Sequence, residues 1–361
     1  MTLNNRHLRT AVTVLGAALL VATLGVTAQA ATPAAKTGIT LPAGFSATVF
    51  AASPNTSVTG PDDIVTLGDH VFVGYQNGVG AQGEPAPSGQ TRSTLVEYDR
   101  HGRQVGSWNL TGKIDGLGAD PTRDRVIASV NEDGNSSLYT ISDNTVRHFK
   151  YNAAELSHGG GTDSVVVRHG TIFITASAPA ANADGTTFSK PALYRATLDD
   201  GTVNLTPVLW DNSVATDAVS GKQVTLNLSD PDSSEIVPQS VPRIGGDLLL
   251  DSQGDGQLIL LSHPGQHNQH ATVVTLTTQV DDSAFASSER GTLYVVDSPN
   301  NRIIAITGRF HRGQAFTSVP SGSPTPAALS TVDLGTGAVT TFGTGFGSPK
   351  GLLFVPANED D

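Results

Sequence analysis

The 361-residue chain contains no cysteine. A disulfide framework is therefore excluded, and so is a lipid anchor on an N-terminal Cys. Aromatic residues make up 6% of the chain and charged residues 15%, and long helical patterning is scarce. After Val26 no apolar run approaches the length of a membrane span. The G-x-S-x-G and G-x-x-x-x-G-K-[ST] signatures are missing, which removes the commonest serine-hydrolase and nucleotide motifs. Basic residues are also short, 21 Lys and Arg against 33 Asp and Glu. Such a chain repels phosphate backbones and is a poor fit to nucleic acid. It attracts cations, although the same charge also simply keeps an exported protein soluble.

What is present begins with MTLNNRHLRT, an apolar stretch from Ala11 to Val26, and Ala28-Gln29-Ala30. A basic start, a short apolar run and an A-x-A site describe a secretory leader over residues 1–30. Its removal takes away Arg6 and Arg9 and moves the formal charge from −12 to −14. The expected product is a secreted, extracellular monomer with no membrane span in its mature form. The remaining residues 31–361, about 330 of them, suit two average domains or one large repetitive one. With 39 Gly, 20 Pro and short β-branched runs broken by D-G, N-N and G-x-G turns, a single all-β domain fits better.

Internal repetition supports that reading. An Asp, a short strand, a tight turn and three further strands recur from Asp62, Asp115, Asp163, Asp230 and Asp281. The clearest copy holds GTLYVVDSPNNRIIAIT, Gly291–Thr307, followed by QAFTSV. Strand-like pieces left over at 328–356 and 41–51 supply a sixth unit drawn from both ends of the chain. Pairing first and last strands closes a ring and covers open sheet edges. The expected fold is a β-propeller, most simply of six four-stranded blades. Gly/Pro/Ser/Ala-rich segments at Gly78–Arg92, Ala178–Lys190 and Ser318–Ala328 are expected outside the sheets.

LYVVDSPNNRI resembles the NHL repeat, and the wider organisation is similar to the six-bladed propellers of the senescence-marker/gluconolactonase family. That resemblance implies a divalent cation in the central channel, held by a Glu, two Asn and an Asp, and a lactonase-type hydrolysis. Thr59, before Gly60-Pro61, stands where the family has the Glu, and Ile114, before Asp115-Gly116, where it has the first Asn. Asp163 corresponds to the second Asn, and Asp281 or Asp282 keeps the Asp.

In an antiparallel blade the start of the first strand and the end of the second lie at one edge. The starts supply Asp62, Asp63, Asp115, Asp163, Asp232, Asp281 and Asp282; the ends supply Gln76, Asn77, Asn131, Glu132, Asp251, Gln253 and Asp297. Together they predict a polar channel mouth able to take a small molecule, glycan or protein. Carboxylates crowded there need a hard cation such as Ca²⁺, with Asp115, Asp163 and Asp281 as candidate ligands, or raised pKa values. Asp282, Asp163 and His158 are the candidate catalytic groups, His158 through the Gly159-Gly160-Gly161 loop that follows it. The plainer alternative is that each Asp accepts backbone N–H bonds in the opening turn of its blade. His263, His267 and His270 sit in a loop with no rigid element to set ligand geometry, and Asp251–Gly256 reads as a hairpin turn because Ser262 replaces the Glu of a calcium loop.

Overall fold

The computed structural model describes residues 37–143 and 145–357. The expected leader, residues 1–30, lies outside the described residues. Strands dominate, because short runs such as RVIASV and LLLDS are apolar on both faces and bury best inside stacked sheets. Among the described residues they form antiparallel groups of four. The first group is Pro61–Leu67, His70–Tyr75, Arg92–Tyr98 and Gln104–Thr111. The second is Ile114–Asp120 to Thr145–Tyr151 and the third Val165–Arg168 to Thr202–Trp210; a two-residue parallel contact joins their outer strands into one eight-stranded sheet. The fourth, Pro231–Ile236 to His270–Thr275, is extended outward by the hairpin Val214–Asp217 and Gln223–Thr225.

The last two groups depart from the expected chain order. Ser283–Phe285 does not pair with Gly291–Asp297; it pairs with Ala315–Val319, followed by Ala328–Val332 and Val339–Gly343. The hairpin Gly291–Asp297 and Arg302–Thr307 instead joins Pro349–Pro356 on one side and Ser46–Ala52 on the other. The unit expected to run on from Asp281 through QAFTSV is therefore split, and residues 328–343 do not belong with 41–51. Both faces of LYVV and RIIAI are apolar, so the pattern identifies strands without choosing their neighbours. The observed pairing is close at its edge, where a Cβ on Gly291 would fall 2.5 Å from the carbonyl oxygen of Val355. N- and C-terminal strands still close the ring. Five phenylalanines lock that joint edge-to-face, with Phe45 against Phe310 and Phe342 at centroid distances of 5.2 and 4.9 Å, and Phe310 against Phe316 and Phe354 at 5.8 and 5.1 Å.

The first strand of each group touches the first strand of the next until the circuit closes from Pro349–Pro356 back to Pro61–Leu67. This is a β-propeller, with the six inner strands around a central channel. Loops 78–91 and 176–190 leave between the second and third strands of their groups, as does 320–327. Ser318 and Val319, expected in that last loop, end the strand before it, and Ala328 begins the strand after it. Among the described residues no helix is long and apolar enough to cross a membrane.

Candidate functional site

Four of the six inner strands show a register slip at their head. Pro61 pairs with Tyr75 and Ile64 with Val73, so Asp62 and Asp63 together face the single residue between. The same slip occurs at Asp115-Gly116, Asp232-Ser233 and Lys350-Gly351. A bulge bends the strand and re-aims the extra side chain. Around the mouth stand Asp62, Asp115, Asp163, Asp232, Asp281 and, completing the circuit, Lys350, all lining a cavity of about 500 Å³.

Lysines neutralise part of this ring. Lys113 Nζ lies 2.8 Å from Asp115 Oδ1 and also pairs with Glu132. Lys350 Nζ lies 2.5 Å from Asp281 Oδ1 and 4.0 Å from Asp62 Oδ1. Gln76 donates to Asp115 at 3.1 Å and Gln253 to Asp281 at 2.8 Å. On the opposite arc only Glu132 has such help, from Lys113. Asp163, which is 6% exposed, and Asp232 share a carboxyl–carboxyl hydrogen bond, and among the described residues no basic side chain forms an ion pair with either. Glu132, Asp163 and Asp232 each offer an oxygen within 4.8 Å of the others.

Burial drives the electrostatics. It pushes the Asp62 carboxyl up to about 6, against the opposing pull of Lys350. Burial raises Asp115 and Asp163 well above the usual carboxylate range, and the neighbouring Asp232 adds to the rise at Asp163. Loss of water outweighs the lysines because it acts on every member of the ring.

Asp63 and Asp282 play a different part from their neighbours. Asp63 accepts from the backbone N–H of Leu117 at 2.6 Å, and Asp282 from that of Leu352 at 2.7 Å. Each carboxylate thus ties its own inner strand to the next. Burial still holds Asp282 up at about 7.

Five expected site residues, Asn77, Asn131, Asp251, Asp297 and His158, lie outside the cavity lining. Asn131 does not line the cavity. Its Oδ1 accepts from Lys113 N at 2.9 Å, while Asn77, Asp255 and Asp297 accept from Thr59, Ser229 and Gly347. These residues near the ends of second strands share the turn-capping expected of the first-strand aspartates, of which Asp63, Asp115 and Asp282 accept from the backbone N–H groups of Ile64, Glu132 and Ser283. His158, expected as a proton-transfer group, is fully buried between Tyr194 OH at 3.1 Å and the Gly161 carbonyl at 2.5 Å. The glycines beside it serve close packing, since a Cβ on Gly160 would lie 2.2 Å from the Ala178 carbonyl oxygen. The exposed His263, His267 and His270 form no ligand group among the described residues, and Asp251–Gly256 is a short turn in which Asp255 binds Ser229 and Ser252.

Lys113, Lys350 and Glu235 are the cavity residues that aspartate counting misses. Pro349-Lys350-Gly351 occupies the place of Pro61-Asp62-Asp63 and Pro231-Asp232-Ser233, so the proline was the available signal.

The fold and this lined channel define the protein as a β-propeller with an acidic channel mouth. No family model matches the chain, and no curated protein matches it. Among solved structures it is similar to the periplasmic gluconolactonase PpgL of Pseudomonas aeruginosa, at 12% identity and a TM-score of 0.40 over 82% of this chain and 88% of that one. A functionally unknown protein from Desulfotomaculum acetoxidans gives 10% identity and 0.41 over 84% and 94%. The WD40 β-propeller domain of Doa1 gives 11% and 0.37 over 87% and 88%. The fold assignment rests on the strand order described above.

Proposed function

We propose that the protein is an exported propeller that binds a small cationic ligand, a divalent cation such as Ca²⁺ or an amine-bearing molecule, at its channel mouth. The arc of Glu132, Asp163 and Asp232 carries this reading. Oxygens within 4.8 Å of one another suit a single ion, because Ca–O distances of about 2.3–2.6 Å place ligands on opposite sides at that spacing. Asp163 is the strongest element, buried and without an ion-pair partner among the described residues. Export rests on the leader-like first thirty residues. Calorimetric titration of Ca²⁺ into chelator-treated protein should give one saturable site, abolished in the Asp163→Asn, Asp232→Asn double variant. Absence of heat with any divalent cation or simple ammonium ion would leave only a structural scaffold.

A second reading is metal-assisted hydrolysis of a lactone. It is favoured by Asp62 and Asp282, which burial holds at about 6 and about 7 in the same cavity. Carboxyls in that range can give a proton to a leaving oxygen near neutral pH. Turnover of a lactone panel that needs Ca²⁺ and falls in Asp282→Asn supports this reading; binding without turnover supports the first.

A further inference from the structure

At the far ends of the inner strands, away from the mouth, a groove of about 1030 Å³ follows the seam where the circuit closes. One wall belongs to the first group and includes Thr66, Val71 and Arg100; the other belongs to the closing group and includes Arg290, Val355 and Arg309. Its charge runs against that of the chain. Arg100 pairs with Asp69, and Arg309 Nη2 lies 2.9 Å from Glu289 Oε2. All four of these side chains are more than half exposed, so water screens both pairs and leaves them little strength. Arg290 forms no ion pair among the described residues. Three guanidinium groups against two carboxylates leave the groove positive, in a chain whose formal charge is −12.

Ala357 also lines this groove, and its N–H donates to the Arg290 carbonyl at 3.1 Å, just beyond the Gly291–Pro356 pair. The sequence continues Asn358-Glu359-Asp360-Asp361, outside the described residues. We propose that Asn358–Asp361 dock in the groove, their carboxylates among Arg290, Arg309 and Arg100, and strap the closing group to the first. Four extended residues reach about 13 Å, enough to carry a carboxylate from one wall towards the other. Charge complementarity selects an acidic occupant, and covalent attachment at Ala357 selects this one. A segment tethered there is present at an effective concentration of order millimolar, so a modest attraction suffices. A second copy, or a free acidic peptide, must first approach a molecule of net negative charge. The mouth lies at the other end of the inner strands, so the strap stands or falls independently of the cation-binding reading.

The test is a double-mutant cycle on the full chain, read by thermal melts. One variant carries Glu359→Gln, Asp360→Asn and Asp361→Asn; the other carries Arg290→Gln, at an exposed side chain. Neutralising the tail should lower the melting temperature at low salt by about 2–4 °C, the size expected for charge-assisted contacts in a domain of this length. The fall should vanish when Arg290 is already Gln, and also in about 1 M NaCl, where the screening length is about 3 Å. Amide hydrogen exchange at Thr66–Val71 should quicken in the tail variant, since the strap covers that wall. An unchanged melting temperature, or equal falls with and without Arg290, overturn the proposal. A fall that depends on protein concentration places the tail in the groove of a second copy and overturns the intramolecular strap as well.

Discussion

Lys350 Nζ stands 2.5 Å from Asp281 Oδ1 and 4.0 Å from Asp62 Oδ1, bridging the inner strands on either side of its own. It occupies the one ring position that is not an aspartate. Its ammonium holds two carboxylates in place and lowers the negative potential of the mouth. Replacing it with Gln should lower the melting temperature. It should also tighten Ca²⁺ binding by about tenfold, as expected for deleting a positive charge several ångströms away at an effective dielectric near 20. Calorimetry and thermal melts of Lys350→Gln check both effects, and the opposite signs separate electrostatics from simple unfolding.

The pH dependence follows from carboxyls raised by burial. Asp62 at about 6, Asp282 at about 7 and Glu235 at about 8 all lie above their unfolded values. Between the unfolded and folded pKa the native state binds more protons than the unfolded one, so stability falls as pH rises. Their contribution is complete below about pH 4 and lost as pH passes through 6 to 8. Melting temperature measured in chelator should fall from pH 5 to pH 9, and Ca²⁺ should restore it most at the alkaline end. Asp282→Asn should flatten the middle of that curve.

The ring joint depends on Phe310, which is 1% exposed and packs edge-to-face on Phe45, Phe316 and Phe354. Phe310→Ala should destabilise the protein by about 3–5 kcal/mol, the usual cost of emptying a buried aromatic site. Denaturant unfolding measures it. Because Phe45 and Phe354 come from opposite ends of the chain, the same variant should expose the terminal strands to protease first.

His158 supplies a negative control for the site. Its ring joins Tyr194 and Gly161 inside the protein and lines no part of the channel. His158→Ala should cost about 1–3 kcal/mol of stability through unsatisfied partners. Ca²⁺ affinity of the folded variant should not change.

The aspartate repeat made the architecture readable. Asp62, Asp115, Asp163, Asp232 and Asp281 lie at or just before the heads of inner strands, and at Asp62, Asp115 and Asp232 the strand opens on the same bulge. Two features did not show in the pattern. One is the exchange of Gly291–Thr307 into the neighbouring group: its strands are apolar on both faces, and either partner satisfies them. The other is Lys350, since a search for repeated carboxylates passes over the position where the charge reverses. Asn131 and Glu132 illustrate a finer limit. They are adjacent in sequence at a strand end, yet one turns back to clip Lys113 N and the other faces the cavity. Which of two neighbours faces a channel is set by the αL backbone of Asn131, φ 70°, and not by residue type.

The most direct measurement is a crystal structure of the protein soaked in Mn²⁺, an oxygen-seeking ion with a usable anomalous signal. The cation-binding reading requires one anomalous peak in the channel mouth, coordinated by Glu132, Asp163 and Asp232 and absent from the Asp163→Asn variant. A mouth without a peak at saturating Mn²⁺, or a peak confined to Asp281 and Lys350 on the other side of the ring, would contradict a metal ion in this arc.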